Sequence, residues 1–438
     1  MSRISAHTAP PSPVAGSHSA RPRVLYLVHR VPHPPNRGDR IRSYHILRFL
    51  AERADVYLAC LADEAVSAET RAVLDRHAAR AAIVPLSSRG RWLRAAGSLA
   101  RGQSATEGLF RSPELKRIVG QWSREMRFDA VLAFCSSMAP YLDVAGLAGV
   151  PTCVDLVDVD SQKWLDYAQR ASGARAWLFR LEAGRVRRLE RSLARRVDSV
   201  TVVSDAEAAI LKSFCPAANA HAIGNGVDLD YFCPTASDAK SDRPECVFVG
   251  ALDYRANIDG ICWFCAEVWP RLRSQVPDAV LSIVGRRPDP AVRRLANCPG
   301  VELIGEVPDV RPYLARARVA VVPLRIARGI QNKVIEAMAA GTPVVASPQA
   351  LEGLRLTPGE HALQADSPAQ WTAAIADLLS SEASRRRLAA AGRAFVEEHH
   401  RWETCLRQFE LLLNLNPAAT MDGNGAGQIP ARLGAAHA

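Results

Sequence analysis

Short apolar runs alternate with helical stretches along most of this chain, and no other feature of the sequence constrains the fold as strongly. From residue 22 onward the runs are "RVLYLVHR", "DVYLACLA", "AAIVPL", "DAVLAFCS", "PTCVDLVD" and "DSVTVVS". Between the first two runs, helical spacing relates four apolar residues: Ile41, Tyr44, Leu47 and Leu50. Apolar runs separated by helices are typical of a parallel sheet that is covered by helices on both faces.

The same alternation starts again after the polar, turn-rich stretch "IGNGVDLDYFCPTASDAKSDRPE". The second series of runs is "CVFVGAL", "AVLSIVG", "VELIGEV", "ARVAVVPL" and "TPVVAS". Helices are expected at 257–274 and 330–340, with a long helix near 367–415. We therefore predict an α/β chain of two doubly wound, Rossmann-like domains, with a ligand cleft between the carboxyl ends of their strands.

The composition shifts suggest the domain boundaries. The predicted segments are a disordered leader (1–21), an N-terminal domain (22–225), an interdomain linker (226–243), a C-terminal domain (244–400), a C-terminal helix (401–415) and a disordered tail (416–438). A chain of 438 residues that is 48% hydrophobic can fill two such cores.

The net charge of +10 allows three kinds of partner: nucleic acid, an anionic membrane surface or a phosphorylated substrate. Much of the excess lies in the arginine-rich stretches 89–102 and 170–196. These stretches suit an interfacial position on anionic lipid, but solvated helices whose arginine stems cover the core explain them equally well. No nucleic-acid partner is expected, because no helix-turn-helix, zinc finger or aromatic-basic interleaving occurs.

Several features indicate a cytoplasmic protein. The N-terminus lacks the apolar stretch of a signal peptide, and no apolar run is long enough to span a bilayer. The ten cysteines have no framework spacing, so reduced thiols are expected. The one C-x-x-C, at Cys262 and Cys265, follows helical spacing with Ile258 and Trp269 and is interpreted as core.

The stretch "ARGIQNKVIEAMAAGTPVVAS" at 327–347 raises the clearest functional question. Its helix is expected to begin near Gly329 with Gln331, Asn332 and Lys333 at an open end that attracts phosphate. Glu336, one turn later, can accept two hydrogen bonds from a diol such as a ribose. This mixture fits a nucleotide diphosphate, although a capped core helix with an accidental glutamate remains the alternative.

The same stretch, "GIQNKVIEAMAAGTPVVAS", resembles the donor-binding motif of retaining glycosyltransferases of family 4. Further pieces resemble that family in the same order: "PNRGDRIRSYHIL", "VVSDAEAAIL", "IGNGVDLDYF", "VFVGALDYRANIDG", "LSIVG" and "VELIGEVPDVRPYLARARVAVVPL". The resemblance spans about residues 22–412 and implies the two-Rossmann GT-B fold. "DLVDVDSQKW" and "GIQNKVIEAMA" are similar to sugar transferases of bacterial exopolysaccharide clusters.

The resemblance implies roles for individual residues. Glu336 matches the ribose-binding glutamate, and Gly329 with the amides after it matches the loop that holds diphosphate and donor sugar. Gly38 matches a first-domain loop that faces the donor phosphates, and Gly250 matches the turn after the first strand of the second domain. The turn 225–227 is interpreted as structural. The predicted substrate-binding residues are Gly38, Asp39, Arg40, Gly250, Asn257, Arg286, Arg328, Gly329, Gln331, Asn332 and Glu336, and the predicted catalytic residues are Lys333, Arg255 and Asp158.

Three positions depart from the family pattern. Arg328 stands where the family usually has a sugar-contacting glutamate, which favours an acidic donor sugar or a contact with phosphate. The usual diphosphate clamp after Gly250 is absent, with Arg255 and Arg286 as the candidate substitutes. The loop that often supplies a histidine is acidic here, with Asp155, Asp158 and Asp160 before Ser161, Lys163 and Trp164. This loop is expected to meet the acceptor or the donor sugar, or else to cap a helix.

The implied reaction retains the anomeric configuration and needs no protein nucleophile and no cofactor. Helix-end amides, Lys333 and nearby arginines would stabilise the charge on the leaving diphosphate. No metal is expected, because enzymes that use a D-x-D such as 158–160 to bind a metal resemble a different, single-domain fold. The expected partners are a nucleotide-diphosphate sugar and a saccharide or polyprenyl-linked acceptor, on the inner face of the plasma membrane if the basic stretches bind lipid.

Three other functions are compatible with parts of this sequence, and the last of them fits least well. A GT-B sugar-nucleotide epimerase would use the same diphosphate site, and a non-catalytic nucleotide-sugar-binding protein would explain the missing clamp residues. A nicotinamide dehydrogenase is disfavoured because no G-x-G-x-x-G follows a strand with an acidic residue about twenty positions later.

Overall fold

The computed structural model describes residues 21–86, 88–234, 242–327 and 329–415. The predicted leader, apart from Arg21, and the predicted tail at 416–438 lie outside these residues, as does part of the predicted linker. Within them the chain forms two parallel sheets, each covered by helices on both faces. The prediction of two Rossmann-like domains that face each other is confirmed.

The first sheet is built from the apolar runs of the N-terminal half. Its strands, in the described part of the chain, are β1 (Arg23–Val28), β2 (Asp55–Ala62), β3 (Arg80–Pro85), β4 (Ala130–Phe134), β5 (Thr152–Val157), β6 (Ser199–Val202) and β7 (Ala220–Ala222). They pair in parallel in the order β3-β2-β1-β4-β5-β6-β7. The strand order reverses between β1 and β4, and a ligand crevice is expected at such a switch point.

The second sheet repeats this plan. Its described strands are β8 (Glu245–Val249), β9 (Val280–Val284), β10 (Val301–Gly305), β11 (Val319–Val322), β12 (Val344–Ala346) and β13 (Leu363–Gln364). Their order is β10-β9-β8-β11-β12-β13, so the switch point lies between β8 and β11. Most of these strands are buried on both faces, which explains why they read as continuous apolar runs instead of alternating ones.

Helices fill the connections. In the first domain they are α1 (Gly38–Arg53), α2 (Ala68–His77), α3 (Ser88–Ala100), α4 (Ala105–Leu109), α5 (Pro113–Glu125), α6 (Ala139–Leu142), α7 (Asp160–Gln169), α8 (Gly173–Arg196) and α9 (Asp205–Phe214). Beyond these come α10 (Arg255–Trp263), α11 (Trp269–Gln275), α12 (Pro290–Arg293), α13 (Arg311–Arg316), α14 (Asn332–Ala339), α15 (Pro348–Leu351), α16 (Pro368–Ser380), α17 (Glu382–His399), α18 (Trp402–Leu406) and α19 (Gln408–Leu412). Short 3₁₀ turns lie at Ser136–Met138, Ala145–Leu147 and Arg294–Asn297, and a π-helical segment at Phe264–Val268 joins α10 to α11.

The single long helix expected near 367–415 is wrong. Four helices occupy that stretch, and the first break is at Ser381, whose hydroxyl caps α17 by accepting from the Ser384 amide. After His400 the chain returns to the first domain, where Trp402 and Phe409 pack in the core beside β1. Helices α18 and α19 therefore pack on the first domain, although they follow the second domain in the sequence. The core interpretation of Cys265 is confirmed, since that thiol is buried among apolar side chains.

A fully buried ion pair anchors the first domain to the interdomain turn. Arg42 of α1 and Asp155 of β5 are both 0% exposed. Arg42 Nε donates to Asp155 Oδ2 at 2.7 Å, and Nη2 donates to Oδ1 at 3.3 Å. The remaining guanidinium nitrogen donates to Asn225 Oδ1 at 2.8 Å, and the Thr201 hydroxyl donates to Asp155 at 3.0 Å. Good geometry with both partners satisfied is what a buried pair requires.

Removing Arg42 should therefore destabilise the protein strongly. In Arg42→Met, the buried Asp155 loses its cationic partner, so the free energy of unfolding should fall by about 3–5 kcal/mol. The measurement is the urea midpoint followed by circular dichroism. The matched control is Arg386→Met, whose ion pair with Glu382 is mostly exposed and should contribute less than about 1 kcal/mol. Equal midpoints for the two variants would contradict this account of the buried pair.

Candidate active site

The N-terminus of α14 opens toward the cleft. Gly329 has a φ of +61°, which L residues with a side chain adopt reluctantly, and it turns the chain from β11 into the helix. The helix begins at Asn332, three residues later than the glycine, and the N-cap residue Gln331 provides no side-chain cap. The first-turn amides and the positive end of the helix dipole therefore lie at the cleft.

Lys333 is held in place by the turn after β8. Its Nζ donates to Asn257 Oδ1 at 2.5 Å, and Asn257 Nδ2 donates to the Ala251 carbonyl at 2.8 Å. A Cβ on Gly250 would lie 2.9 Å from Asn257 Nδ2 and 3.0 Å from Lys333 Nζ. Only glycine at position 250 leaves room for both side chains. Three sequence-predicted residues, Gly250, Asn257 and Lys333, therefore meet at one point although they come from separate segments.

Lys333 and Glu336 lie one turn apart on α14, and both are half-buried in the wall of the cleft. Burial lowers the pKa of Lys333 to about 8, although the nearby Glu336 carboxylate opposes that shift. Burial also raises the pKa of Glu336 to about 7, and Lys333 opposes it. The pair therefore changes its protonation close to neutral pH, where an incoming anion would favour the charged lysine.

Asp158 reaches the same point from the first domain. A Cβ on Gly329 would collide with Asp158 Oδ1 and would lie 2.7 Å from Val203 Cγ2. Burial raises the pKa of Asp158 to about 7, with Lys163 opposing the shift. This carboxyl group can therefore donate or accept a hydrogen bond near neutral pH.

Backbone strain brings Asp158 to the cleft. Val157 has a φ of +68°, which is rare for a β-branched residue, and the pairing of β5 with β6 shifts register between Asp155 and Val157. Such strain persists only where the surrounding structure enforces it, and it concentrates at functional sites. No sequence signal indicates this distortion, since valine is ordinary in a strand.

The acidic loop does not cap its helix. Asp155 lies inside β5 in the buried pair with Arg42, and the N-cap position of α7, Val159, makes no side-chain cap. The amide of Val159 instead donates to Glu207 Oε2 at 2.7 Å, and the amide of Ser161 donates to Glu190 Oε1 at 3.0 Å. Because Glu207 and Glu190, from other helices, accept from these amides, the Asp158 carboxylate does not cap the helix and stays available to the cleft.

Aromatic and cationic groups meet between the domains beside Asp158. Lys163 Nζ lies 5.9 Å from the centre of the Tyr254 ring, and the Arg255 guanidinium lies 5.5 Å from the Tyr167 ring. Although burial opposes the charge on Lys163, Tyr254, Asp160 and Asp158 together raise its pKa. Arg255, predicted to contact diphosphate, therefore packs on a ring of the first domain. Lys163, from the loop expected to meet the acceptor or the donor sugar, supplies a second cation here.

The loop before α1 carries the other predicted donor contacts. Gly38 has open space beside it, since a Cβ there would meet no atom within 4 Å. Asp39 accepts from Arg30 at 2.7 Å, and its pKa is lowered by His29, Arg30 and Arg37 against the opposing effect of burial. Arg40 is nearly buried and donates to Glu64 at 3.0 Å. Both charged side chains are thus engaged within the first domain, and neither makes a described contact with α14.

Two arginines face each other across the cleft. Burial lowers the pKa of Arg37, and the positive charges of Arg30, Arg286 and Arg40 also lower it, whereas Asp39, 3.5 Å away, opposes the shift. Arg286, in the loop after β9, has a buried Nε with no hydrogen-bond partner among the described residues. A buried donor without a partner is costly, so an anionic ligand here would relieve both the unmet donor and the mutual repulsion. Arg37 was not among the predicted site residues, and its only signal was its place beside Gly38.

The interdomain turn links this site to the buried ion pair. Asn225 Nδ2 donates to Asn332 Oδ1 at 2.9 Å, at the first residue of α14. A Cβ on Gly226 would lie 2.5 Å from the Trp402 backbone nitrogen, so only glycine fits where the two domains and the chain end meet. Arg328 lies outside the described residues. Within the described residues, no group of three or more His, Cys, Asp or Glu side chains could hold a metal ion.

Both halves of the chain match known protein families. Residues 69–226 match the family described as "Glycosyl transferase 4-like domain", and residues 243–381 match "Glycosyl transferases group 1". The chain is a GT-B glycosyltransferase. Among the described helices of this glycosyltransferase, none is long and apolar enough to cross a membrane.

A curated relative supports this assignment. The GDP-mannose-dependent alpha-(1-6)-phosphatidylinositol monomannoside mannosyltransferase of Mycobacterium tuberculosis is 30% identical over 257 residues. That alignment covers 52% of this chain and 66% of the relative, so it leaves about a third of the relative's length unmatched.

Solved structures of low sequence identity share the fold. Sucrose-phosphate synthase from Thermosynechococcus elongatus superposes with a TM-score of 0.65 at 19% identity, covering 91% of this chain and 100% of its own. The Anabaena protein HepE, in complex with UDP and glucose, superposes with a TM-score of 0.62 at 14% identity, covering 90% of this chain and 99% of its own. At such identities the likeness establishes the fold alone.

The close approach of Gly329 to Asp158 generates a test of the site. Gly329→Ala should abolish nucleotide binding, because the new methyl group would push the α14 loop away from Asp158 and Val203. Gly359→Ala is the matched control, since Gly359 also has a positive φ, +88°, but open space around it. The control should lose about 1–2 kcal/mol of stability from backbone strain and keep its affinity. Calorimetric titration with UDP and GDP measures the affinity of each variant, and urea unfolding measures its stability. Equal affinities in the two variants would refute the proposed packing.

Proposed function

We propose that this glycosyltransferase moves a hexosyl group from a nucleotide-diphosphate sugar to a saccharide or polyprenyl-linked acceptor, with retention of the anomeric configuration. The supporting observation is the convergence of cationic and helix-end groups at one point of the cleft. Lys333 and the amides at the start of α14 lie beside Gly250, and the Gly250 carbonyl lies against Gly285, the residue before the unsatisfied Arg286. Together these groups would bind a diphosphate. Arg37 adds a cation from the opposite domain.

The nucleoside would lie against α14. Glu336 is half-buried one turn beyond Lys333, where its carboxylate can accept hydrogen bonds from both hydroxyl groups of a ribose. The curated mycobacterial relative is named for GDP-mannose, and the Anabaena protein was solved with UDP and glucose. Guanine and uracil nucleotides are therefore the two donors to compare first.

The transfer step needs charge stabilisation more than a protein nucleophile. The bond between the anomeric carbon and the phosphate oxygen breaks, and the acceptor hydroxyl oxygen bonds to that carbon on the same face. The acceptor proton passes to the departing phosphate oxygen, so the atoms balance without a covalent enzyme intermediate. Lys333 and the α14 amides stabilise the charge that develops on the diphosphate. Asp158, next to Gly329, would hydrogen-bond a hydroxyl group of the donor sugar or acceptor.

The cellular setting is part of the proposal. All ten cysteines are unpaired, and most are at least partly buried, which suits the reducing cytoplasm. A place in exopolysaccharide synthesis is inferred from the motif resemblance at residues 151–164 and 329–339. A saccharide or lipid-linked acceptor would enter from the side of the first domain.

A thermal-shift panel of UDP-, GDP- and ADP-sugars tests the donor site. One nucleotide class should stabilise the protein by about 2.7 kcal/mol at a hundredfold excess over its dissociation constant. Glu336→Ala should remove that shift by removing the ribose acceptor, whereas Glu267→Ala, at an exposed position of the same domain, should keep it. If no nucleotide sugar raises the melting temperature, the donor assignment is contradicted. A shift without transfer to any acceptor would favour a non-catalytic binder, and release of free nucleotide with an epimerised sugar would favour an epimerase.

The pKa values of Lys333 and Glu336 predict a bell-shaped pH profile for donor affinity. As the pH rises through about 8, Lys333 loses the charge that attracts diphosphate, so affinity should fall. As the pH falls through about 7, Glu336 gains a proton and loses acceptor capacity, so affinity should fall again. Calorimetric titration with the chosen nucleotide sugar between pH 6 and 9, about the range that brackets both pKa values, measures the profile.

Lys333→Arg separates the two limbs. Its guanidinium stays charged throughout this range, so the alkaline limb should disappear while the acidic limb remains. An alkaline limb that persists in Lys333→Arg would show that another group titrates there.

A further inference from the structure

Helix α3 turns an apolar face toward solvent. Its exposed positions in the described part are Trp92 (63%), Leu93 (77%), Ala96, Leu99 (38%) and Ala100. They recur at spacings of three and four, which places them on one side of the helix. The buried side instead carries Ala95 and the polar Ser98. A surface helix of a soluble domain ordinarily has the opposite arrangement.

The first turns of α8 also expose large apolar side chains. Trp177 and Leu178 are 60% and 54% exposed. The two helices are joined, because Arg185 Nη2 donates to the Leu99 carbonyl at 3.3 Å. Glu182 of α8 also accepts from the Ala105 amide, at the start of the helix after α3, at 2.9 Å. The α3–α8 surface, residues 92–101 and 174–188, therefore belongs to two helices of the first domain that contact each other.

The polar part of the α3–α8 surface is cationic. Its arginines are Arg94, Arg101, Arg175, Arg180, Arg185, Arg187 and Arg188, and none of them forms an ion pair with a carboxylate of the described chain. Arg187 is half-buried and packs over the Phe214 ring. Residues 88–103 contain no Asp or Glu, and the two glutamates of α8, Glu182 and Glu190, are buried. The outward surface thus combines apolar side chains with unneutralised positive charge.

We propose that the α3–α8 surface binds the anionic surface of a lipid bilayer, with Trp92, Leu93, Trp177 and Leu178 entering the interfacial region. Tryptophan prefers that region, and each arginine beside it gains from the anionic headgroups. A second copy of this chain is a poorer occupant, because a symmetric contact would bring the same arginines against each other. Charge complementarity therefore selects the lipid surface.

This surface also has a position that suits the proposed acceptor. Phe179, the residue after Leu178, packs against Trp164 and Tyr167 of α7 at ring distances of 5.5 and 6.1 Å. Tyr167 in turn meets Arg255 at the cleft. A bilayer bound at Trp177 would lie next to the cleft mouth, where a polyprenyl-linked acceptor could enter. Lipid binding itself does not depend on the proposed transfer reaction.

Flotation of the full chain with vesicles tests the proposal. The protein should float with phosphatidylglycerol–phosphatidylcholine vesicles at low salt and not with phosphatidylcholine alone. The double variant Leu93→Ser/Trp177→Ser should bind at least about tenfold more weakly through lost apolar burial. Arg175→Gln/Arg180→Gln should lose about fivefold for each charge removed.

Two matched controls report whether the effect is local. Leu411→Ser removes a leucine that is 74% exposed, and Arg387→Gln removes an exposed arginine of the other domain; both should float like the parent protein. Failure of the parent protein to float would overturn the proposal. Weakening by the arginine variant alone would also overturn it, since apolar insertion would then be absent. Concentration-dependent dimers that Leu93→Ser/Trp177→Ser abolishes, without vesicle binding, would show that a second copy covers the surface.

Donor binding provides an independent readout. Because the α3–α8 surface lies outside the donor site, all four variants should keep the thermal shift with nucleotide sugar. Loss of flotation with an intact nucleotide shift supports the lipid surface, and flotation without any nucleotide shift would refute the donor assignment alone.

Discussion

The buried pair of Arg42 and Asp155 is the interaction on which the rest of the structure depends. It joins α1 to β5 in the centre of the first sheet, where neither charge reaches water. Since an uncompensated charge would be very costly there, the guanidinium must stay bound to its partners. The guanidinium also donates to Asn225, which fixes the interdomain turn. Asn225 in turn donates to the side chain of Asn332, the first residue of α14. The position of the donor helix thus rests on an ion pair in the opposite domain.

The cleft then combines groups that are unfavourable without a ligand. Lys333 and Glu336 have pKa values shifted toward neutrality by burial, and the Nε of Arg286 is a buried donor without a partner in the described chain. Val157 holds a strained backbone conformation beside Asp158. Such costs are typical of sites that are completed by a charged ligand, because the ligand supplies the missing partners.

Sequence reasoning pointed more clearly to the approach to α14 than to the first-domain loops that face it. The glycine-rich approach to α14 follows local rules of backbone conformation and helix ends, so Gly329, Lys333 and Glu336 could be singled out from their spacing. The placement of Asp158 could not be predicted, because it depends on a register shift between two strands. Arg40 and Asp39 were expected at the phosphates, yet the structure pairs them with neighbours in their own domain. The contribution of Arg37 also escaped prediction, since opposing cations become significant only when two domains approach each other.

The sequence by itself determined the two parallel sheets and the open end of α14, because apolar periodicity and glycine positions act over short distances along the chain. Only the tertiary structure decided which charges are neutralised inside the protein and which face the cleft. It also decided that the chain end returns to the first domain and that α3 turns its apolar side outward. These outcomes depend on contacts between residues far apart in sequence, and the free energy of a charge or an apolar side chain is set by those surroundings.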